Sequence, residues 1–324
     1  MKNLKVALAF ILSLAVAVTS GCEYLPPLSW FTITPIETTE IPVDLSYAAE
    51  RILPSTVIVD ARISTGTGWI FDESGIIVTN YHVIKDSRRV TVTLHDGRRI
   101  NVTAMASDPI SDLAVLYINA SDLTAATISS SSSLRIGDAV VAVGNSNGDG
   151  ISVKTGRVTR LNMTVSIEGQ DFYGLIENNA PIQHGDSGGA LVNQAGEVVG
   201  ISNAKVFGTQ DIAYAINIDS ALPILHELIT TGSVTWPYLG IVGTDNALGA
   251  GVVIEEITPG GPADEAGLRV GDIITAIDGN SMRGMSELRE YVLSQQVGQR
   301  VSVTYRRGGA QAETTVTLGA RPSY

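Results

Sequence analysis

The chain has 324 residues, 44% of them hydrophobic and 6% aromatic, with 33 glycines and a formal net charge of −12. That apolar content is enough for two or three packed cores, and plentiful glycine with few aromatics suits short strands joined by tight turns. Acids are spread along the chain and no basic stripe exists to neutralise phosphates, which argues against nucleic acid as a partner.

Residues 1–22 read as an export signal. Lys2 and Lys5 precede an apolar run, Val6–Val18, broken only by Ser13, and small residues then lead into Thr19-Ser20-Gly21-Cys22. Such an order of positive, apolar and small residues marks a secretory signal, and the run is shorter than the ~20 residues of a stable span. Cys22 is the only cysteine. Its place after Ser-Gly resembles the bacterial lipobox, although Thr19 stands where a larger aliphatic residue is usual. Lipidation of Cys22 is therefore the expectation, with an uncleaved anchor or an ordinary signal as the alternatives. The chain is expected to be exported and held on the outer face of the cytoplasmic membrane. Residues 23–46, rich in Pro, Thr and Glu, are expected to form an extended tether.

From 47 to 232 the pattern is short β runs punctuated by Gly and Asx turns, among them Thr56–Ile63, Gly68–Phe71, Gly75–Thr79, Arg89–Leu94, Ala114–Ile118, Ala139–Val143 and Val198–Ser202. Closely spaced strands without alternating helices predict a β-barrel or sandwich. The serine run 129–133 reads as a surface loop. One helix is predicted at Ser220–Thr230, capped by Ser220 and ended by Gly232. A second, α+β unit follows over 236–320. Its strands are predicted at Tyr238–Val242, Gly251–Ile257, Asp272–Ile277, Arg300–Tyr305 and Glu313–Leu318, with a short helical stretch around Ala263–Ala266 and a helix at Ser286–Ser294.

The segment Gly185-Asp186-Ser187-Gly188-Gly189 carries the strongest chemical signal. An acyl-transfer nucleophile needs a tight turn whose N–H groups converge on a developing oxyanion, and flanking glycines permit that turn. Within Gly185, Asp186 and Ser187, the N–H groups of Gly185 and Ser187 are the expected donors. A serine also needs a base, and the base an orienting acid. Of the four histidines, His82 closes an apolar strand and is best placed to enter a cleft. His95 sits beside an Asp-Gly turn, His184 is too near Ser187 in sequence to be an ideal base, and His226 falls on the predicted helix. Asp112 opens an apolar strand and is the better acid; Asp108 precedes a proline and reads as a turn residue.

The order His82, Asp112, Ser187 is that of chymotrypsin-type enzymes. Thr79-Asn-Tyr-His-Val, Ser111-Asp-Leu-Ala-Val-Leu and Gly185-Asp-Ser-Gly-Gly together resemble the three signature blocks of the HtrA protease family. Gly66-Thr-Gly-Trp-Ile-Phe-Asp, Leu134-Arg-Ile-Gly-Asp and Ala142-Val-Gly-Asn extend the likeness. The resemblance implies a mainly β fold, a trypsin-like pair of six-stranded barrels, with His82 as base, Asp112 as orienter and Ser187 as nucleophile in the cleft between them. Two segments depart from the family pattern, Gln183-His184-Gly185-Asp186 and Ala213-Tyr-Ala-Ile-Asn217. They shape the oxyanion loop and specificity pocket, for which Ile182 and Ile212 are the candidate lining residues.

The C-terminal unit resembles a PDZ domain. Tyr238-Leu239-Gly240-Ile241 matches its carboxylate-binding loop and first strand, whose free N–H groups would hold a peptide's C-terminus while the peptide pairs with an open sheet edge. By resemblance the chain is an ATP-independent serine endopeptidase acting on unfolded or misassembled exported proteins, regulated by C-terminal peptides, requiring no metal or organic cofactor, and assembled as a homotrimer. The short Ile63–Gly68 segment favours a tethered, sensor-like protease. The alternative is a catalytically silent scaffold or chaperone whose working part is the PDZ domain.

Overall fold

A computed structural model describes residues 44–167, 170–203 and 212–322. The export signal with Cys22, and the tether up to residue 43, lie outside the described residues. Among those described, no helix is long and apolar enough to cross a membrane.

A short helix α1 (Ser46–Ile52) leads into the first barrel, built from β1 (Thr56–Asp60), β2 (Thr65–Asp72), β3 (Ile76–Asn80), helix α2 (Tyr81–Ile84), β4 (Thr91–Thr93), β5 (Arg99–Asp108) and β6 (Leu113–Ile118). The second comprises β7 (Ala139–Gly144), β8 (Ser152–Ile167), β9 (Gln170–Asn178), β10 (Ala190–Val192), β11 (Val198–Asn203) and β12 (Ala213–Asn217). Each six-strand set closes on itself, in the orders β1-β2-β3-β6-β5-β4 and β10-β11-β12-β9-β8-β7. The pair of barrels expected from the resemblance is thus present. Val57, Val59, Ile77, Val92 and Leu116 fill the first barrel, and Val140, Ile176, Leu191, Val199 and Ala215 the second. A further core, including Trp69, Val78, Val115, Val141, Val143 and Ile201, joins residues of both barrels to α1 and to α3 (Ile218–Thr231).

Helix α3 starts before the predicted Ser220. The Asn217 side chain accepts the N–H groups of Asp219 and Ser220 at 2.9 and 3.4 Å, so the cap sits at the end of β12. Gly232 ends the helix in the left-handed conformation, as predicted. The serine run is a correction: it forms a helical turn against α3, with Ser131 buried and bonded to Asn217 Oδ1 at 2.6 Å, and with Ser130 Oγ donating to Asp219 Oδ2 at 2.8 Å. Hydroxyls that satisfy a helix start are more useful there than in solvent.

The C-terminal unit contains β13 (Pro237–Tyr238), β14 (Ile241–Asp245), β15 (Val252–Ile257), α4 (Pro262–Glu265), β16 (Ile273–Ile277), β17 (Asn280–Ser281), α5 (Met285–Leu293), β18 (Arg300–Arg307), β19 (Ala310–Thr317) and β20 (Gly319–Ala320). Its sheet runs β14-β15-β16-β18-β19, leaving β14 on an edge, while β13 pairs with β20. The single strand predicted over Tyr238–Val242 is broken at Leu239-Gly240. Gly240 has φ +81°, a conformation closed to most L-residues, and Leu239 turns into the core. Val252, Ile254, Ile274, Leu288, Val303 and Leu318 form this unit's separate core.

Candidate active site

Sheet register brings the first two residues together. β3 and β6 pair antiparallel with Asn80 opposite Leu113, so the residue before Leu113 lies beside those following Asn80. Asp112 sits there with φ 57°, a left-handed conformation that Asp adopts more readily than most residues. Its carbonyl accepts the Tyr81 N–H and the Asn80 Nδ2–H, both at 3.0 Å. Its carboxylate, 1% exposed, accepts the His82 backbone N–H at Oδ1 (2.9 Å) and meets His82 Nδ1 at Oδ2 (2.7 Å). Asn203 Nδ2 donates to the same Oδ2 at 3.1 Å. An ionised carboxylate only accepts, so the ring proton belongs on Nδ1, which leaves Nε2 with its lone pair as the basic nitrogen.

Asp108 is occupied elsewhere. Its Oδ2 accepts the Ser111 N–H and Oγ–H at 2.7 and 2.6 Å, and its Oδ1 accepts the Trp236 indole N–H at 3.0 Å. His95 and His226 are exposed, in a turn and on α3; His184 is exposed beside the serine turn.

The Ser187 turn belongs to the second barrel but docks on the first. Thr67 N–H donates to the Ser187 carbonyl at 2.9 Å, and Thr67 Oγ–H to the Gly185 carbonyl at 2.6 Å. The Thr67 hydroxyl itself accepts the Asn145 N–H at 2.8 Å. Gly188 packs so closely on Thr67, Thr79 and the Asn80 amide that a Cβ there would overlap them. A Cβ on Gly66 would likewise lie 2.6 Å from Val83 and 3.2 Å from the Ser187 carbonyl. The serine turn, with Ser187 6% exposed, is therefore packed against the strand and helix that carry His82.

Within the turn, Gly185 has φ +94° and the His184 carbonyl accepts the Asn147 N–H at 2.7 Å. A trans peptide sets its N–H opposite its C=O, so the Gly185 N–H points away from Asn147, and among the described residues nothing accepts it. The Asp186 N–H is engaged instead, donating to the Gln183 carbonyl at 3.1 Å. Of the three residues grouped as an oxyanion site, Asp186 thus has its amide engaged within the turn. Ile182 packs against the apolar cluster inside the second barrel, and Ile212 against the core that joins both barrels to α1 and α3. Asn203 and Lys154, which contact Asp112 and Asp186, carry no local sequence signal, whereas Thr67, which bonds the Gly185 carbonyl, lies in the block that begins at Gly66.

At the second predicted site, the Leu239 carbonyl accepts the Ala263 N–H at 3.0 Å and the Gly240 carbonyl accepts the Thr258 N–H at 2.9 Å. With both carbonyls tied back, the N–H groups of Gly240 and Ile241 face the other way. A cavity of about 550 Å³ is lined there by Tyr238, Leu239, Gly240, Ile241, Leu288 and Val292, and it also reaches Pro109, Ile110 and Asp171 of the barrels. Arg289 on α5 pairs with Asp171 at 3.6 Å.

Residues 66–201 match the trypsin-like peptidase domain family, and residues 237–318 the PDZ domain family. The chain is 35% identical over 271 residues to the probable periplasmic serine endoprotease DegP-like of Chlamydia muridarum (strain MoPn / Nigg), covering 80% of this chain and 54% of that protein. It is 32% identical over 315 residues to serine endoprotease DegS of Escherichia coli (strain K12), covering 88% of each. The chain thus spans about half the length of the DegP-like relative and most of the length of DegS. Among solved structures, HtrA-type protease AlgW with decapeptide matches with a TM-score of 0.76 and 27% identity, covering 87% of this chain and 100% of that one.

Proposed function

The chain belongs to the HtrA family of trypsin-like serine proteases, and from that premise we propose that it is an ATP-independent endopeptidase working through Ser187, His82 and Asp112. The observation that carries this reading is the 2.7 Å contact of His82 Nδ1 with the buried Asp112 carboxylate, alongside a serine turn packed on the same strand. Ser187 Oγ attacks the scissile carbonyl while its proton passes to His82 Nε2. The oxyanion is received by the N–H groups of Gly185 and Ser187. His82 then returns the proton to the leaving amine as the C–N bond breaks, and water hydrolyses the acyl-enzyme by the same steps in reverse. Asp112 holds the imidazole in the required tautomer and stabilises its cation. Casein digestion tests the reading: cleavage is expected from the wild type and none from Ser187→Ala. Equal residual activity in both proteins, with and without C-terminal peptides, overturns it in favour of a silent scaffold.

The groove between β14 and α5 is read as a receptor for C-terminal peptides, which would add to the β14 edge and place their carboxylate on the Gly240 and Ile241 amides. Its border with Pro109, Ile110 and Asp171 gives a bound peptide direct access to the loop that leads to Asp112. The substrates are read as unfolded or misassembled exported proteins, in keeping with relatives named periplasmic endoproteases. A homotrimer and lipidation of Cys22 complete the proposal. Sedimentation tests the first, and mass spectrometry of the mature N-terminus the second, with an unmodified Cys22 overturning it.

A further inference from the structure

Beside the nucleophile lies a buried ion pair that the triad does not use. Lys154 on β8 meets the Asp186 carboxylate, with side-chain exposures of 13% and 2%. The same carboxylate accepts the Gln183 N–H at 2.6 Å and the Ser146 hydroxyl at 2.9 Å, and Lys154 also touches that hydroxyl. Gly144 makes room for this arrangement, since a Cβ there would overlap Asp186.

Removing two charges from water is costly, and an apolar pair of similar volume is often as stable. The pair is therefore better explained by the geometry it imposes than by stability. Asp186 closes the turn on itself, accepting the Gln183 N–H with its carboxylate while donating its own N–H to the Gln183 carbonyl. The neighbouring segment is fastened to the same turn: Ser146 bonds Asp186, Asn147 Nδ2 bonds Gln183 Oε1 at 2.8 Å, and the Asn147 N–H holds the His184 carbonyl. That last bond sets the direction of the Gly185 N–H. Without a cation, the Asp186 carboxylate would be buried and underpaired, and the turn would relax toward solvent.

We infer that Lys154 is a positioning residue for the proteolytic reaction: its ammonium anchors Asp186 and so holds the oxyanion turn assembled before substrate arrives. This rests on the protease reading above. The test uses Lys154→Met, Asp186→Asn and the double variant of the full-length chain. Lys154→Met is expected to lower kcat ~10-fold or more with KM changed less than ~2-fold, since losing one oxyanion donor costs ~100-fold or more. The double variant is expected to be no slower than the worse single variant, because the amide oxygen introduced by Asp186→Asn still accepts the Gln183 N–H and no charge is left unpaired. Unchanged kcat in Lys154→Met, or single effects that multiply in the double variant, overturns the inference. Hydrogen exchange over residues 180–190 in a Ser187→Ala background reads the turn without any cleavage. Exchange there should quicken in Lys154→Met, and unchanged exchange overturns the inference even when no substrate has been found. A wild type with no activity but Lys154-dependent protection of the turn contradicts the protease reading alone.

Discussion

The Trp236 indole N–H donates to Oδ1 of Asp108 over 3.0 Å, tying the linker between the barrels and the C-terminal unit to the loop that ends in Asp112. The other oxygen of that carboxylate holds Ser111, the residue immediately before Asp112, through its N–H and its hydroxyl. One buried side chain thus connects that linker to the residue next to Asp112, the orienting acid of the candidate triad.

Trp236→Phe keeps an aromatic side chain, though a smaller one, and removes this donor from a carboxylate only 5% exposed. A hydrogen bond to a charged group contributes about 1.5–3 kcal/mol, so the variant should unfold at lower temperature by that amount of stability. Calorimetry checks this. Wild-type stability would show that the bond is not formed in solution.

Asp112 separates fold from chemistry. Its φ of 57° is tolerated by Asn but costs Ala about 1–2 kcal/mol. Asp112→Asn should therefore retain near-native melting while losing ~10⁴-fold in kcat through the wrong imidazole tautomer. Asp112→Ala should lose both. Paired melting curves and peptide-hydrolysis rates distinguish the two variants, and an active Asp112→Asn protein would rule out the assigned role.

Gly240 at φ +81° presents the amides of the candidate peptide loop. Gly240→Val introduces a β-branched side chain into a conformation it disfavours, close to Pro262. Binding of fluorescent C-terminal peptides should weaken by ~10-fold or more. A C-terminally amidated peptide should bind poorly even to the wild type. Equal binding of the acid and the amide in polarisation assays would remove the carboxylate site from consideration.

Asp272 gives an acid limb to stability. Burial pushes its carboxyl up, but the Arg307 guanidinium, bonded at 2.8 and 2.7 Å, and the Arg269 N–H outweigh this and hold it below the ordinary carboxylate value. A depressed carboxylate contributes stability that is fully present above its unfolded value of about 4 and is lost as pH falls through its folded value. The C-terminal unit should accordingly melt at progressively lower temperature below about pH 4. Arg307→Ala removes the main cause of the depression, so it should lower stability above about pH 4 and flatten the acid limb, as followed by circular dichroism melting against pH; an acid limb as steep as the wild type's would disprove the assignment.

The mainly β architecture and family membership were legible from local pattern. Short β-branched runs between Gly and Asx turns encode strands, and alternation encodes which face is buried. The end of α3 was equally local, because Gly232 is read from its neighbours alone. The start of α3 was not: Asn217 and Ser220 are both good caps, and the end of β12 decided for Asn217. The chain's own pattern also nominated His82, Asp112 and Ser187 by type and order, without any means of bringing them together. Barrel closure and strand register did that, setting Asn80 opposite Leu113 and thereby His82 beside Asp112. The contacts around them join residues remote in sequence: Asn203 and Asp112 are 91 apart, Lys154 and Asp186 are 32 apart, and Trp236 and Asp108 are 128 apart. Propensity and periodicity act over a few residues, whereas these partners are chosen by which strands close the barrels and which loops then meet. Only the tertiary structure could decide them.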